Sequence, residues 1–244
     1  MKLAPRTVVI TGASRGLGAG LADWFQSKGH RLGLCSRSPT SLQASETVIT
    51  APVDVRDPTA LTLFTKTVED RFGGIDLWIN NAGVLGPIGP LRDANPEDLR
   101  IHIETNLLGV VYGSQSFVNH LHRNDRFGVL LNISSGAGRS GYAGWTAYCA
   151  AKAAVDRFTE ALSLEEAPHR LRTHSVAPGV IDTQMQTEIR QCDQDKFPMV
   201  QKFQTLKDKG HFNTPEFVAQ KCSDLAFGSS PPSEVLLRLP NQFS

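Results

Sequence analysis

Thr7-Val-Val-Ile-Thr-Gly-Ala-Ser-Arg-Gly-Leu-Gly18 decides how this chain reads. Its first residues, Thr7 to Thr11, are β-branched and apolar, the pattern of a parallel strand buried on both faces. Glycines follow at 12, 16 and 18. Leu17, Leu21, Trp24 and Phe25 then recur on one helical stripe that runs to Lys28, with Gly29 as its stop. A strand, a glycine turn and a helix in that order make a phosphate-binding fingerprint. Glycine lets the backbone approach a pyrophosphate, and the helix's first N–H groups point at it. A tight turn without a ligand accounts for the glycines alone but not for what flanks them. Gly12, Ser14, Arg15, Gly16, Leu17 and Gly18 are therefore candidate cofactor contacts.

Outward from this unit the chain alternates strands and helices. Strands are expected at 31–35, 47–53, 76–80, 128–133, 172–177 and 234–239. A short, poorly formed helix is expected over 38–45. Asp57-Pro58 starts a helix to about Phe72, and Asn95-Pro96 starts a long one to about His122. The helix carrying Tyr148 runs to about Glu166, and Thr214-Pro215-Glu216 starts another. Such alternation implies an α/β fold of the Rossmann type. It would be a doubly wound parallel sheet of about seven strands with helices on both faces. Residues 1–244 read as a single dinucleotide-binding and catalytic domain. The polar stretch 182–210, with Met185, Phe197, Met199 and Phe203 scattered through it, reads as a substrate lid.

Composition excludes several classes. A net charge of +1 with no basic tract leaves no electrostatic footprint for nucleic acid or acidic lipid. No apolar run reaches the ~20 residues of a membrane span, and the N-terminal residues lead straight into a strand, unlike a signal peptide. Cys35, Cys149, Cys192 and Cys222 lack metal or disulfide-framework spacing, so no metal is expected and the thiols read as reduced, in a cytoplasmic protein.

The candidate site residues fall at the carboxyl ends of the strands, where open α/β sheets bind ligands. The second strand ends Cys35-Ser36-Arg37, with no acid for a ribose 2′-hydroxyl. Ser36 and Arg37, with Arg15, suit a 2′-phosphate, which guanidinium grips bidentately, so NADP(H) is the expected cofactor. After the third strand come Asp54 and Val55; Asp54 either accepts from the adenine amino group or caps its turn. Asn80 to Gly83 form a second turn beside the cleft, with Asn81, Ala82 and Gly83 as cofactor contacts, or with the whole turn as support for the sheet. Asn106 is an amide within an apolar helical pattern: it holds a water in a proton chain from Lys152, or it bends the helix. Pro178, Gly179, Ile181 and Thr183 follow the sixth strand and would close over a nicotinamide carboxamide; Thr183 also suits a helix N-cap.

Tyr148 and Lys152 stand one helical turn apart, which puts phenol and ammonium on one face. A nearby cation lowers a phenol's pKa by roughly 1–3 units, toward the range of efficient general acid–base work. Ser135 reads as the hydroxyl that bonds a substrate carbonyl, with Ser134 as the competing choice. The histidines lack ligand spacing and read as packing or surface residues, and Cys149 faces away from Tyr148's side of the helix.

Taken together, these motifs resemble the short-chain dehydrogenase/reductase family along essentially the whole chain. Within it, Gly141 to Lys152, Ala161 to Glu166 and Ala177 to Met185 look like sepiapterin reductases and benzil-type carbonyl reductases. The resemblance implies Tyr148 as proton donor and Lys152 as the group that lowers its pKa and binds the nicotinamide ribose. Ser135 would orient the carbonyl, and Asn106 would support a water relay. It also implies a homodimer or homotetramer packed through helices near 96–122 and 145–166. Asn241 stands near the place of the aspartate that anchors pterin in sepiapterin reductases, which favours an uncharged ketone or diketone as the small-molecule substrate. An NADPH-sensing regulator without turnover would need none of Ser135, Tyr148 and Lys152. A nucleotide-sugar epimerase would need a larger C-terminal substrate domain.

Overall fold

The structure, a computed structural model, describes residues 4–167 and 170–243. The expectation for the first residues of the N-terminus lies partly outside them. Seven strands form one parallel sheet: β1 (Thr7–Thr11), β2 (Arg31–Ser36), β3 (Val48–Pro52), β4 (Leu77–Asn80), β5 (Gly128–Ile133), β6 (Leu171–Ala177) and β7 (Leu236–Arg238). Their order is β3-β2-β1-β4-β5-β6-β7. The chain winds outward from β1 to β3, then restarts at β4 on β1's other side, so a crevice opens where the carboxyl ends of β1 and β4 diverge.

The helices are α1 (Gly16–Ser27), α2 (Pro58–Phe72), α3 (Pro96–Ile103), α4 (Gly109–Arg123), α5 (Thr146–Glu166), α6 (Gln184–Arg190), α7 (Val200–Asp208) and α8 (Pro215–Phe227). Alternate strand residues serve opposite faces. Val8 and Ile10 pack with Leu21 and Phe25 of α1 and Val218 of α8. Val9 and Trp78 face Leu61 and Phe64 of α2 and Phe117 of α4. These side chains are at most 3% exposed, and each such burial stabilises the fold by about 1.5–3 kcal/mol. The expected caps form: Asp57 accepts from the Thr59 and Ala60 amides, Asn95 from Glu97, and Thr214 from Phe217.

Two expectations need correction. Residues 38–45 contain no helix. Ser36 donates to the Ser38 carbonyl and Thr40 to that of Leu42, and such local bonds compete with helical ones. The long helix after Asn95 is interrupted by a wider turn of π type over Glu104–Leu108, which separates α3 from α4. The cause is tertiary. The Asn106 side chain accepts from the Val84 amide at 3.0 Å and donates to the Val84 carbonyl at 2.9 Å, which fixes the loop after β4 against the helix.

Candidate active site

At the head of α1 the backbone itself forms a cradle. Gly12 and Gly16 hold positive φ of 68° and 55°, where a side chain would be strained. A Cβ on Gly18 would collide with the Gly12 carbonyl and the Asn81 amide, while one on Gly12 would lie 2.7 Å from the Ala82 Cα. Arg15 stands at the N-cap with an extended backbone and no capping side chain, and α1's first turn carries no acid. The amino end of α1 thus keeps its N–H groups and positive dipole for an anion. These features fit a dinucleotide's pyrophosphate.

The second turn braces the first. Thr11 Oγ1 accepts from the amides of Asn81 and Ala82, and the Asn81 side chain donates to the carbonyls of Thr11 and Gly12. Asn80 is buried and bonds Ser114 and Asn132, while it accepts from the Trp78 indole. The supporting reading of this turn therefore holds for Asn80 and Asn81, although Asn81, Ala82 and Gly83 also line the cleft.

That cleft is a cavity of about 980 Å³. It brings together the candidate cofactor-binding and catalytic residues: Gly12, Ser14, Arg15, Gly16, Leu17, Gly18, Ser36, Arg37, Asp54, Val55, Asn81, Ala82, Gly83, Asn106, Ser135, Tyr148, Lys152, Pro178, Gly179, Ile181 and Thr183. Asp54's carboxylate is bound by Arg56 Nε and Nη2, the latter at 2.6 Å, and accepts from the Arg56 amide, which holds its pKa below the usual carboxylate range. This carboxylate closes its own turn. Thr183 stands at the N-cap of α6 but makes no capping hydrogen bond; its methyl lies beside Gly16.

Ser135, Tyr148 and Lys152 meet on the floor of the cleft. The Ser135 hydroxyl accepts from the Ala137 amide at 3.2 Å and hydrogen-bonds the phenol. Lys152 Nζ lies 5.7 Å from the Tyr148 ring centroid and donates to the Ile133 carbonyl at 2.8 Å. Here the sequence expectation is corrected. Burial raises the Tyr148 pKa, with the Ser135 hydrogen bond opposing, and burial brings Lys152 down to about 8. The ammonium is turned toward a backbone carbonyl, and burial governs the phenol. Ser134, the competing hydroxyl, also lines the cavity, and its Oγ has no partner among the described residues.

Some lining residues carried no sequence signal. Asn213 donates to the carbonyls of Pro178 and Pro240 and accepts from the Gln242 amide, joining the strand-end loop to the C-terminal segment. Only the tertiary fold creates that role. Trp145, three residues before Tyr148, stacks on Phe197 at 4.6 Å and meets the Tyr148 ring edge-on at 5.6 Å. Its aromatic character beside the phenol was a readable signal. Cys149 points away, its thiol toward the Ser140 carbonyl. His102 and His120 are packing residues, both fully buried. No cluster able to hold a metal ion occurs among the described residues, and no described helix is long and apolar enough to cross a membrane.

A backbone cradle for pyrophosphate opening onto a serine beside a buried tyrosine and lysine defines an oxidoreductase that works on a dinucleotide and a carbonyl or alcohol carbon. The sequence pattern of the short chain dehydrogenases matches residues 6–194, and the chain belongs to that family. It is 34% identical to the benzil reductase ((S)-benzoin forming) of Bacillus subtilis strain 168, over 86% of this chain and 89% of that protein. Among solved structures it is similar to the KRED1-Pglu enzyme, with a TM-score of 0.86, 29% identity and coverage of 96% and 100% of the two chains. It is also similar to ElxO with NADP bound, with a TM-score of 0.81, 25% identity and coverage of 96% of each chain.

Proposed function

We propose that this protein is an NADPH-dependent reductase of ketones and diketones, with Tyr148 as proton donor. The observation that carries the reading is the placement of Ser135, Tyr148 and Lys152 on the floor of the cavity that the glycine cradle opens into. The dinucleotide supplies a hydride from the nicotinamide. The chain binds its pyrophosphate at the head of α1 and its 2′-phosphate with Ser36, Arg37 and Arg15. Pro178, Gly179, Ile181 and Thr183 close over the carboxamide. Ser135 donates to the substrate's carbonyl oxygen and aligns it beside the phenol. Tyr148 delivers a proton to that oxygen as negative charge develops there, and Lys152 holds the ribose and stabilises the phenolate left behind. A raised phenol pKa suits this direction, because it keeps the donor protonated at neutral pH. The Asn106 side chain is committed to Val84, so its part in the relay is to hold the π turn in place beside the site.

Tyr142, Trp145, Met185, Phe203 and Leu206 line the substrate end, an aromatic wall suited to an aromatic ketone. Similarity to a benzil reductase supports the same class. Asn241 also lines the cavity and offers an amide where a pterin would need a carboxylate, so sepiapterin is the weaker substrate. The chain would act as one catalytic domain with residues 182–210 as its lid, in the cytoplasm. It would pair with copies of itself through helices near 96–122 and 145–166, where Leu164 is 80% exposed.

The test is NADPH and NADH oxidation over benzil, sepiapterin and simple aromatic aldehydes. Benzil with NADPH should give the highest kcat/KM. Arg37→Ala should lose about 10- to 150-fold of the NADPH value, the equivalent of a charge-assisted phosphate contact of about 1.5–3 kcal/mol. Equal use of the two cofactors, unaltered in Arg37→Ala, contradicts the reading.

A further inference from the structure

Behind the Tyr148–Lys152 pair, α5 buries a second charged group. Asp156 follows Lys152 by one helical turn on the same face and is 9% exposed. Ser175 Oγ of β6 donates to Asp156 Oδ1 at 2.5 Å. The turn after Ser135 closes over the other side. A Cβ on Gly138 would stand 2.7 Å from Asp156 Oδ2 and 3.0 Å from the Lys152 carbonyl oxygen, so only glycine leaves the carboxylate its place. A carboxylate withdrawn from water needs a counter-charge as well as a hydrogen bond. The buried cation on the same face of α5, one helical turn back, is Lys152, which acts on it through space and not as a direct ion pair. Neither Asp156 nor Ser175 touches the cavity.

We propose that Asp156, held by Ser175 and admitted by Gly138, is a positioning residue of the reduction: it is the buried counter-charge that keeps Lys152 an ammonium and so sets the alkaline limit of catalysis. This rests on the reading that Lys152 acts with Tyr148. Burial lowers Lys152 to about 8, and Asp156 is what pulls it back upward. Other ionisable groups around the pair are otherwise engaged. His102 of α3, its Nδ1 against the Gly86 carbonyl, is kept neutral by burial and by the Lys152 charge. Glu104 of the π turn pairs with Arg100 and Arg56. Arg139, just past the Gly138 turn, donates to the Leu236 carbonyl, and the Nδ1 of His174 on β6 bonds the Glu234 carbonyl. The Cys149 thiol points to Ser140, and Arg157 on α5 pairs outward with Glu160.

The sign follows directly. Without the carboxylate, the ammonium loses its proton at lower pH, and reduction fails earlier as pH rises. NMR of ¹³Cε-labelled lysine in the full protein, with the Lys152 signal identified by its loss in Lys152→Met, reads the titration without turnover. A midpoint near 8 is expected. In Asp156→Asn it should fall by about 1–2 pH units, and in Asp156→Glu it should hold. The carboxyl carbon of Asp156 in the unsubstituted protein should show a step at the Lys152 midpoint, an observation that needs no variant to fold. In turnover, Asp156→Asn should stay within about threefold of the parent rate at pH 6 and lose about tenfold or more at pH 8.5. An unchanged Lys152 midpoint, a missing step, or an equal loss at both pH values overturns the proposal. If the unsubstituted protein reduces no carbonyl, the functional reading falls instead, while the two NMR titrations still decide the role of Asp156.

Discussion

Burial sets the protonation of Tyr148 more than the neighbouring ammonium does. The i to i+4 spacing of Tyr148 and Lys152 was legible in the sequence, as was Ser135 upstream, because helical periodicity and the order of strand ends fix where such side chains emerge. The direction of the phenol's shift was not, since desolvation depends on Trp145 and the rest of the packed floor. The consequence is testable. Tyr148→Phe keeps the ring, so folding and NADPH binding should persist, while carbonyl reduction should fall by about 10²–10⁴-fold. Lys152→Met should do comparable damage and also weaken NADPH binding. The double variant should lose little more than either single one, because the two side chains act as a unit. Reduction rates at saturating NADPH, with cofactor affinity from fluorescence, check all three. Additive losses would mean that the groups act separately.

Among the elements, the strand–turn–helix at Thr7–Ser27 and the caps at Asp57, Asn95 and Thr214 were readable because they depend on neighbours in sequence. The break in the helix over Glu104–Leu108 was not, because it depends on Asn106 reaching Val84 across the fold; the sequence showed only an amide in an apolar run. The segment 182–210 is intermediate. Its polar surface with a few large apolar residues was visible, but its attachment is tertiary. Phe197 and Phe203 lodge against Trp145, and Arg15 of the glycine turn donates to Gln184 at 3.0 Å. The segment is thus tied both to the aromatic wall and to the cradle. Hydrogen exchange in residues 182–210 should slow when NADPH and benzil are added together, and less with NADPH alone. Exchange indifferent to both ligands would show that the segment is a fixed wall and not a lid.

At the scale of the molecule, the parallel sheet followed from strand–helix alternation, while its order, and with it the crevice between β1 and β4, required the fold. That crevice gathers residues from Gly12 to Asn241 into one cavity. The candidate cofactor-binding and catalytic residues fall there because ligand groups concentrate at strand carboxyl ends. The Asn213 junction and the buried Asp156–Ser175 pair escaped notice because their partners are distant in sequence. What the whole arrangement is for can be read from the fate of one hydrogen. With benzil and NADPH carrying deuterium at the transferable C4 position, the product should hold deuterium on its carbinol carbon, one per NADPH consumed, and Tyr148→Phe should bind the cofactor yet form this product at least a hundredfold more slowly. NADPH that binds but passes no label to benzil or to any other carbonyl tried, or a Tyr148→Phe protein that transfers it at the parent rate, would contradict Tyr148-assisted carbonyl reduction.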